Sequence, residues 1–305
     1  MKLSVTFEGF GLTWPRWKKY CSFSEQAGFW AIYKSDHFAP TAEPCVDFLE
    51  TIVALTYVAD NVPRVNFGTL ISPLSFRDPV MLARQAMALN ELSNGRMILG
   101  VSAGWWDLEH EMFGYPLGSP KERADQLHEG LEVISRLIRS DTPQSYAGSY
   151  FQLDRAILPP CPKPDMPLLI GGEGPTRTLP LVARFADIWN FHWKPLELFV
   201  QRTTLLDELL TAEGRQVNDV QRTVKLPVLC WRSESERTQL LEDIPDYFWS
   251  VLGQRNRSID QFQQRSAAIV GSPESVLEEM QKFEAAGAEE FIVQILGTGS
   301  NTVLR

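Results

Sequence analysis

The pentapeptide GVSAG at residues 100–104 fits the Gly-x-Ser-x-Gly pattern, in which a serine nucleophile stands on a sharp turn between a strand and a helix. A hydrolase of this kind also needs an acid and a histidine, and Asp187 with His192 supplies them in the right chain order. These two residues lie on one predicted strand, whereas the partners of a catalytic triad usually come from separate loops. Two bulky tryptophans also follow the motif at once, where a closely packed helix should begin. Nucleophilic attack by Ser102 is therefore a remote alternative.

Polar or small residues also stand at the ends of other predicted strands. Histidine titrates near neutral pH, so His37 could move a proton during catalysis. Glycines followed by a helix offer unhindered backbone amides that suit a phosphate. The segments concerned are SDHF at 35–38, GTL at 68–70, GGEG at 171–174 and WNFH at 189–192.

The elements that must position these residues alternate between short β-rich runs and longer stretches of helical period. This rhythm is typical of βα units around a parallel sheet, and eight such runs predict an α/β fold with a closed (βα)8 TIM barrel. In such barrels the carboxyl ends of the strands build the active site. The predicted strands are LSVTFEG, WAIYKSDHF, RVNFGTLIS, RMILGVSA, MPLLIGG, ADIWNF, VKLPVLCW and EEFIVQIL.

Two helices are marked by their end signals. The first should begin after Asp78 as cap and end at Asn94-Gly95, and the second should begin after Ser272 and end near Gly287. The rhythm breaks near residues 141–166 and 232–268, where the chain is too long for a simple connection. We interpret residues 1–305 as one barrel domain with insertions at these two places.

The overall composition makes some classes of binding partner unfavourable. A net charge of -9 is unfavourable for binding nucleic acid or an anionic membrane. The four cysteines have no paired spacing, so neither a disulfide framework nor a zinc site is predicted, and no metal site is expected. No apolar run is long enough to span a membrane. These features predict a cytoplasmic protein that acts on a small molecule.

Taken together, the motifs resemble those of the luciferase-like monooxygenase and F420-dependent oxidoreductase superfamily, particularly its deazaflavin branch. The resemblance is carried by SDHF, by GTLISPLSFRDPVMLARQAMALNELSNGRMILGVSAGW and by LLIGGEGPTRTLPLVARFADIWN, in that order. It implies a luciferase-like TIM barrel that binds coenzyme F420, or alternatively FMN, across the strand ends. Ser102 would then be a hydrogen-bond partner of the cofactor and not a nucleophile.

The resemblance also implies roles for individual residues. His37 would be catalytic, Trp105 and His192 would contact substrate, and a non-proline cis peptide is expected at Thr69-Leu70. His110 and His128 are predicted to lie on helix surfaces. The residues expected to bind the cofactor are Asp36, Thr69, Leu70, Ser102, Ala103, Gly104, Gly171, Gly172, Glu173, Gly174 and Asn190.

The expected function is F420-dependent hydride transfer to or from a small organic substrate, in a chain that forms homodimers. The sugar-phosphate dehydrogenases of this superfamily carry a glutamate acid where this chain has Trp105, which argues against their activity. The alternative is an FMNH2-dependent two-component monooxygenase that needs a partner flavin reductase. A cofactor-free binding barrel also stays open, because a fold alone does not dictate function.

Overall fold

The computed structural model describes residues 1–38, 47–160, 165–244, 249 and 259–296, and eight of its parallel strands close into a barrel. The last strand pairs with the first, which closes the ring. The predicted (βα)8 TIM barrel is therefore confirmed, and each of the eight predicted runs contains a barrel strand. In chain order these strands are β1 (Lys2–Phe7), β2 (Ala31–Lys34), β3 (Asn66–Thr69), β5 (Met97–Ser102), β8 (Leu168–Gly171), β9 (Ile188–His192), β10 (Gln221–Cys230) and β12 (Glu290–Ile295).

Four short strands lie outside the ring. Strand β4 (Ser72–Pro73) pairs with β5, and β11 (Ile269–Gly271) pairs with the end of β10. The first predicted insertion contains an antiparallel hairpin of β6 (Gln144–Ala147) and β7 (Gln152–Ala156). Residues 161–164 of that insertion lie outside the described residues.

Ten α-helices are described, and most of them cover the outside of the barrel. Two of them, α8 and α9, lie in the second predicted insertion, of which residues 245–248 and 250–258 lie outside the described residues. None of the helices in the described ranges is both long and apolar enough to cross a membrane. The helices are α1 (Trp14–Gln26), α2 (Thr51–Asn61), α3 (Pro79–Leu92), α4 (Asp107–Phe113), α5 (Pro120–Arg139), α6 (Thr178–Phe185), α7 (Leu196–Ala212), α8 (Glu234–Asp243), α9 (Ile259–Ser266) and α10 (Pro273–Ala285).

The predicted helix ends are confirmed. The Asp78 side chain accepts a hydrogen bond from the Met81 amide at 2.9 Å, which caps α3. Asn94 (φ 56°) and Gly95 (φ 86°) end that helix in the left-handed region. The cap of α10 is Ser272, and Gly287 with φ 98° follows the helix. Each helix is thereby stopped just before the strand that follows it.

The barrel strands separate two cores. Alternate strand residues point outward and pack against the helices, as Phe7 does against Trp17 and Tyr20 of α1. The other residues point into the barrel, where a separate apolar cluster includes Leu70, Ile98 and Leu169. This second set decides what the barrel interior can bind.

The inward-facing residues divide the barrel interior into two walls. On β3, β5 and β8, and directly after β3, all but Ser102 are apolar or glycine, and we call this the glycine wall: Gly68, Leu70, Ile98, Gly100, Ser102, Leu169 and Gly171. On β9, β10, β12, β1 and β2 most are polar, and we call these the polar wall: Asn190, His192, Thr223, Lys225, Glu290, Gln294, Ser4, Thr6, Glu8, Tyr33 and Ser35.

Candidate active site

A cavity of about 390 Å³ opens at the carboxyl ends of the barrel strands. This is the end at which TIM-barrel enzymes carry their active sites. Both walls and the segment that follows β5 contribute to it. The lining residues are Glu8, Ser35, Asp36, His37, Leu70, Ile71, Pro73, Ser102, Ala103, Gly104, Trp105, Trp106, Glu109, His110, Gly171, Glu173, Asn190, His192, Trp193, Lys194, Lys225 and Gln294.

Two glycine-containing segments lie side by side at this cavity because β5 and β8 are neighbours in the sheet, and their residues Ser102, Ala103, Gly104, Gly171 and Glu173 line it. Ser102–Gly104 leaves β5, and Gly171–Gly174 leaves β8 just before α6. Gly104 (φ 80°) and Gly172 (φ 123°) have left-handed backbones that other residues rarely adopt. A Cβ atom at Gly171 would lie 2.0 Å from the Ile71 side chain. The two segments therefore form a cradle that side chains would fill.

The non-proline cis peptide lies at Leu70-Ile71, so its expected position at Thr69-Leu70 was wrong by one residue. The Thr69 side chain is buried and does not line the cavity. Its Oγ1 donates to the Gly100 carbonyl at 2.7 Å and accepts from the Gly100 amide at 3.0 Å. Leu70 and Ile71 line the cavity instead, next to the glycine cradle.

His37 forms a pair with Glu109, a residue that the sequence analysis missed. Nδ1 of His37 lies 2.9 Å from Glu109 Oε2, and the other carboxylate oxygen accepts the Phe38 amide at 2.6 Å. Glu109 is buried, whereas His37 keeps 13% of its side chain exposed toward the cavity. A carboxylate at Nδ1 fixes the proton there and leaves Nε2 for a substrate.

Asp36 lines the cavity, but its carboxylate already has protein partners. Arg77 binds both oxygens, at 2.9 Å and 2.6 Å, and Ser72 donates to the carboxylate at 2.5 Å. Arg77 also binds Glu50. Burial works against the charge on Arg77, but the two carboxylates outweigh it and raise the pKa of Arg77. Asp36 thus anchors the chain directly before His37.

Asn190 stands in the cavity floor beside the glycine cradle. Its amide nitrogen donates to Thr223 Oγ1 at 2.9 Å, and its backbone carbonyl accepts the Gly172 amide at 3.1 Å. Its side-chain oxygen Oδ1 is buried without a hydrogen-bond partner. An acceptor of this kind suits a ring N–H, so the cradle and Asn190 together fit a flat cofactor of the deazaflavin or flavin type.

The polar wall brings further ionisable groups to the cavity. Lys225 Nζ lies 3.2 Å from Glu8 Oε1, and Trp193 donates its indole N–H to Gln294. Burial, with smaller contributions from Lys225 and Lys194, lowers the pKa of His192 to about 3. His192 is therefore a neutral imidazole at the cavity edge, and its Nδ1 has no hydrogen-bond partner within the described chain.

The segment after β5 supplies the aromatic rim. Trp105 is 55% exposed and stacks on Trp106, with ring centroids 5.8 Å apart. The prediction of His110 as a helix-surface residue was wrong. Its Nδ1 lies 2.8 Å from the Trp106 carbonyl and its Nε2 lies 2.7 Å from Ser75 Oγ, so it is buried under the rim. His128 is partly buried on α5 against Phe185.

The residues of the alternative triad are not brought together. Asp187 precedes β9 and binds Arg139 and the Leu168 amide, at the opposite end of the strand from His192. No hydrogen bond joins the His192 side chain to Ser102, and its Nδ1 has no partner among the described residues. The geometry therefore gives Ser102 no general base, and the hydrolase alternative loses its support.

Several cavity residues were not predicted from the sequence, but three of them have a local sequence signal. Glu109 and His110 are adjacent buried residues in DLEHEMF, a short helix that directly follows a strand end. Glu8 follows the strand KLSVTF, whose polar residues alternate with apolar ones although parallel strands are usually apolar on both faces. Lys225 and Gln294 left no such local signal, because only the barrel register places them at the cavity.

Comparison with known proteins relates this barrel to a family. The model of the luciferase-like monooxygenase family matches residues 11–290. An F420-dependent glucose-6-phosphate dehydrogenase of Amycolatopsis mediterranei is 28% identical over 215 residues, which are 68% of this chain and 63% of that protein. An F420-dependent hydroxymycolic acid dehydrogenase of Mycobacterium tuberculosis is 29% identical over 167 residues, 54% of this chain and 46% of the relative. The chain thus spans less than two thirds of the length of these relatives.

Solved structures share the fold. An F420-dependent secondary alcohol dehydrogenase in complex with an F420-acetone adduct superimposes with a TM-score of 0.80 at 18% identity, covering 100% of this chain and 96% of the other. An EDTA monooxygenase from Chelativorans sp. BNC1 gives 0.76 at 17% identity, covering 97% and 89%. The solved structures of this fold therefore include an F420-dependent dehydrogenase and a monooxygenase. With the family model matched over most of its length, the chain belongs to the luciferase-like monooxygenase family.

Proposed function

We propose that this protein is an F420-dependent oxidoreductase that transfers a hydride to or from a small organic substrate. The observation that carries the proposal is the presence of the glycine cradle and the His37–Glu109 pair in one cavity. The F420-dependent relatives support the choice of cofactor. Ser102–Gly104, Gly171–Gly174 and Asn190 would hold F420 against the glycine wall.

Bound F420 would supply the two-electron hydride chemistry. The chain itself would handle the proton. Nε2 of His37 takes the hydroxyl proton of an alcohol, or returns it to a carbonyl, and the Glu109 carboxylate stabilises the resulting imidazolium. The Phe38 amide holds the Glu109 carboxylate in place, and Arg77 holds Asp36, the residue directly before His37. Both contacts keep the imidazole of His37 oriented.

The test is a fluorescence titration of the purified protein with F420 and with FMN, each oxidised and reduced, at one salt concentration. We expect tight binding of F420, followed by reduction of the bound cofactor when a secondary alcohol is added. Preference for reduced FMN would overturn the proposal and favour a two-component monooxygenase with a partner reductase. Binding of neither cofactor to the folded protein would favour a non-catalytic barrel.

A further inference from the structure

The polar wall continues below the cavity, down the inside of the barrel. Strand register places Glu290 beside Thr223 on β10, and Thr223 beside Asn190 on β9. Thr6 of β1 is likewise beside both Tyr33 and Gln294. Polar side chains therefore extend from the amino ends of the strands toward the cavity floor on this side of the barrel, with the apolar Ile292 between Glu290 and Gln294 on β12.

We call these inward-facing polar side chains the polar column. Several of its polar atoms are buried without a hydrogen-bond partner. Because burying an unsatisfied polar group costs free energy, native interiors usually satisfy such atoms with ordered water. A single unpaired atom would carry little weight, but here they lie at inward positions of four strands, of which β12, β1 and β2 are neighbours in the sheet. The unpaired atoms are Ser4 Oγ, Thr6 Oγ1, Tyr33 OH, Asn190 Oδ1 and Glu290 Oε1.

The lower end of the column is a buried acid with a link to the protein surface. Glu290 is fully buried, and its Oε2 accepts from Gln221 at 3.0 Å. Gln221 in turn accepts from the exposed Lys2 at 3.3 Å. The Ser4 and Tyr33 hydroxyls lie beside the carboxyl without the distance and angle of a direct hydrogen bond.

These neighbours decide the protonation of the acid. Burial raises the pKa of Glu290 to about 7, although Ser4, Tyr33, Lys2 and Gln221 all act in the opposite direction. Burial and the nearby carboxylate also raise the pKa of Tyr33, so its hydroxyl keeps its proton. Glu290 can thus gain or lose a proton near neutral pH, and Tyr33 can pass one on.

We infer that ordered water molecules occupy the barrel interior beneath the cavity and connect Glu290, through Tyr33 and Thr6, to the cavity floor as a proton path. Each transfer moves one proton between neighbouring oxygens, so the path accepts a proton at one end for each that it releases at the other. Such a path matters when substrate and cofactor fill the cavity, because a proton can then leave without crossing them. Its role in turnover rests on the proposed function.

The first arm of the test uses the cofactor-free protein. An infrared pH titration should show a protonated-carboxyl band that disappears near pH 7 in the wild type and is missing in Glu290→Gln. Tyr33→Phe should shift the frequency and midpoint of this band, which keeps the test decisive if Glu290→Gln does not fold. The matched control is Tyr20→Phe, which alters a buried tyrosine on the outer face of the barrel. A titration unchanged in Glu290→Gln, or in Tyr33→Phe, would overturn the inference.

The second arm measures turnover with F420 in H2O and D2O. Tyr33→Phe should slow turnover several-fold and change the solvent isotope effect, with F420 affinity unchanged, while Tyr20→Phe matches the wild type. Equal rates and isotope effects in the two variants would overturn the proton path even if the infrared arm succeeds. Failure of the wild type to bind F420 would instead count against the proposed function, and the infrared arm would still decide whether the buried acid titrates.

Discussion

The glycine wall and the polar wall line the same barrel, yet they are built from opposite kinds of residue. On the glycine wall, missing side chains let strands approach closely: a Cβ at Gly100 would lie 2.1 Å from the Thr69 carbonyl. On the polar wall, most side chains carry polar atoms, and several of these atoms lack hydrogen-bond partners within the described residues. The two walls therefore differ in what they offer a ligand: the glycine wall leaves room for a flat molecule, whereas the polar wall presents ionisable and hydrogen-bonding groups.

If this division is correct, substitutions on the polar side should affect turnover more than cofactor affinity. We expect His37→Ala to lower kcat by about a hundredfold to ten-thousandfold, because a positioned general acid or base contributes that much. F420 affinity should stay close to that of the wild type. The measurement is steady-state kinetics beside fluorescence titration, with His128→Ala as the control outside the cavity. An unaltered rate would remove His37 from the mechanism.

Substitutions on the glycine wall should instead affect cofactor affinity more than turnover. Gly172→Val should weaken F420 binding by about a hundredfold, or ~2.7 kcal/mol, since the backbone must leave its left-handed conformation and a Cβ would lie 3.1 Å from the Thr178 side chain. Gly214→Val is the matched control, because Gly214 also has a left-handed backbone (φ 74°) but has open space around it. Normal affinity in a folded Gly172→Val protein would refute the cradle assignment.

His192 tests the electrostatic character of the polar wall. Its folded-state pKa of about 3 lies below the ordinary 6.5, so the unfolded chain binds the proton more readily between these values. Stability should therefore fall as pH drops from 6.5 toward 3, and His192 should account for about 2 kcal/mol of that loss at pH 5. Denaturant unfolding at pH 7 and pH 5 should show a smaller loss for His192→Gln. Equal losses would show that His192 is not held neutral.

The smallest effect is expected at the rim. Trp105→Ala removes an exposed ring that stacks on Trp106, so KM should rise by about two- to fivefold with kcat unchanged, in keeping with ~0.5–1 kcal/mol for an aromatic contact. Trp14→Ala, an exposed tryptophan at the start of α1, serves as the comparison. A large fall in kcat would move Trp105 from the rim to the reacting centre.

A feature of this fold could be predicted from the sequence where the residues that signal it lie close together along the chain. The helices α3 and α10 were predictable because cap, proline and terminal glycine lie within a few residues of one another. The location of the cradle segments was predictable, because the carboxyl ends of all parallel strands lie at the same end of the barrel. The cofactor roles of the cradle residues remain predictions.

Long-range features were harder to predict. Glu109 reaches His37 from 72 positions away, and no local pattern encodes that distance. Glu290 resembles an ordinary surface acid at the start of a predicted strand, and only barrel closure buries it. The cis peptide was placed one residue early, because the residue types at Thr69, Leu70 and Ile71 do not distinguish the two positions.

The pairing of His37 with Glu109 also bears on how such a protein can change over evolutionary time. The histidine lies in the segment that follows the second barrel strand, whereas its acid belongs to a seven-residue helix between β5 and α5. A replacement of that short helix could exchange the acid, and the aromatic rim with it, while every barrel strand stays intact. New substrates can therefore be sampled by exchanging one loop, without risking the stability of the scaffold.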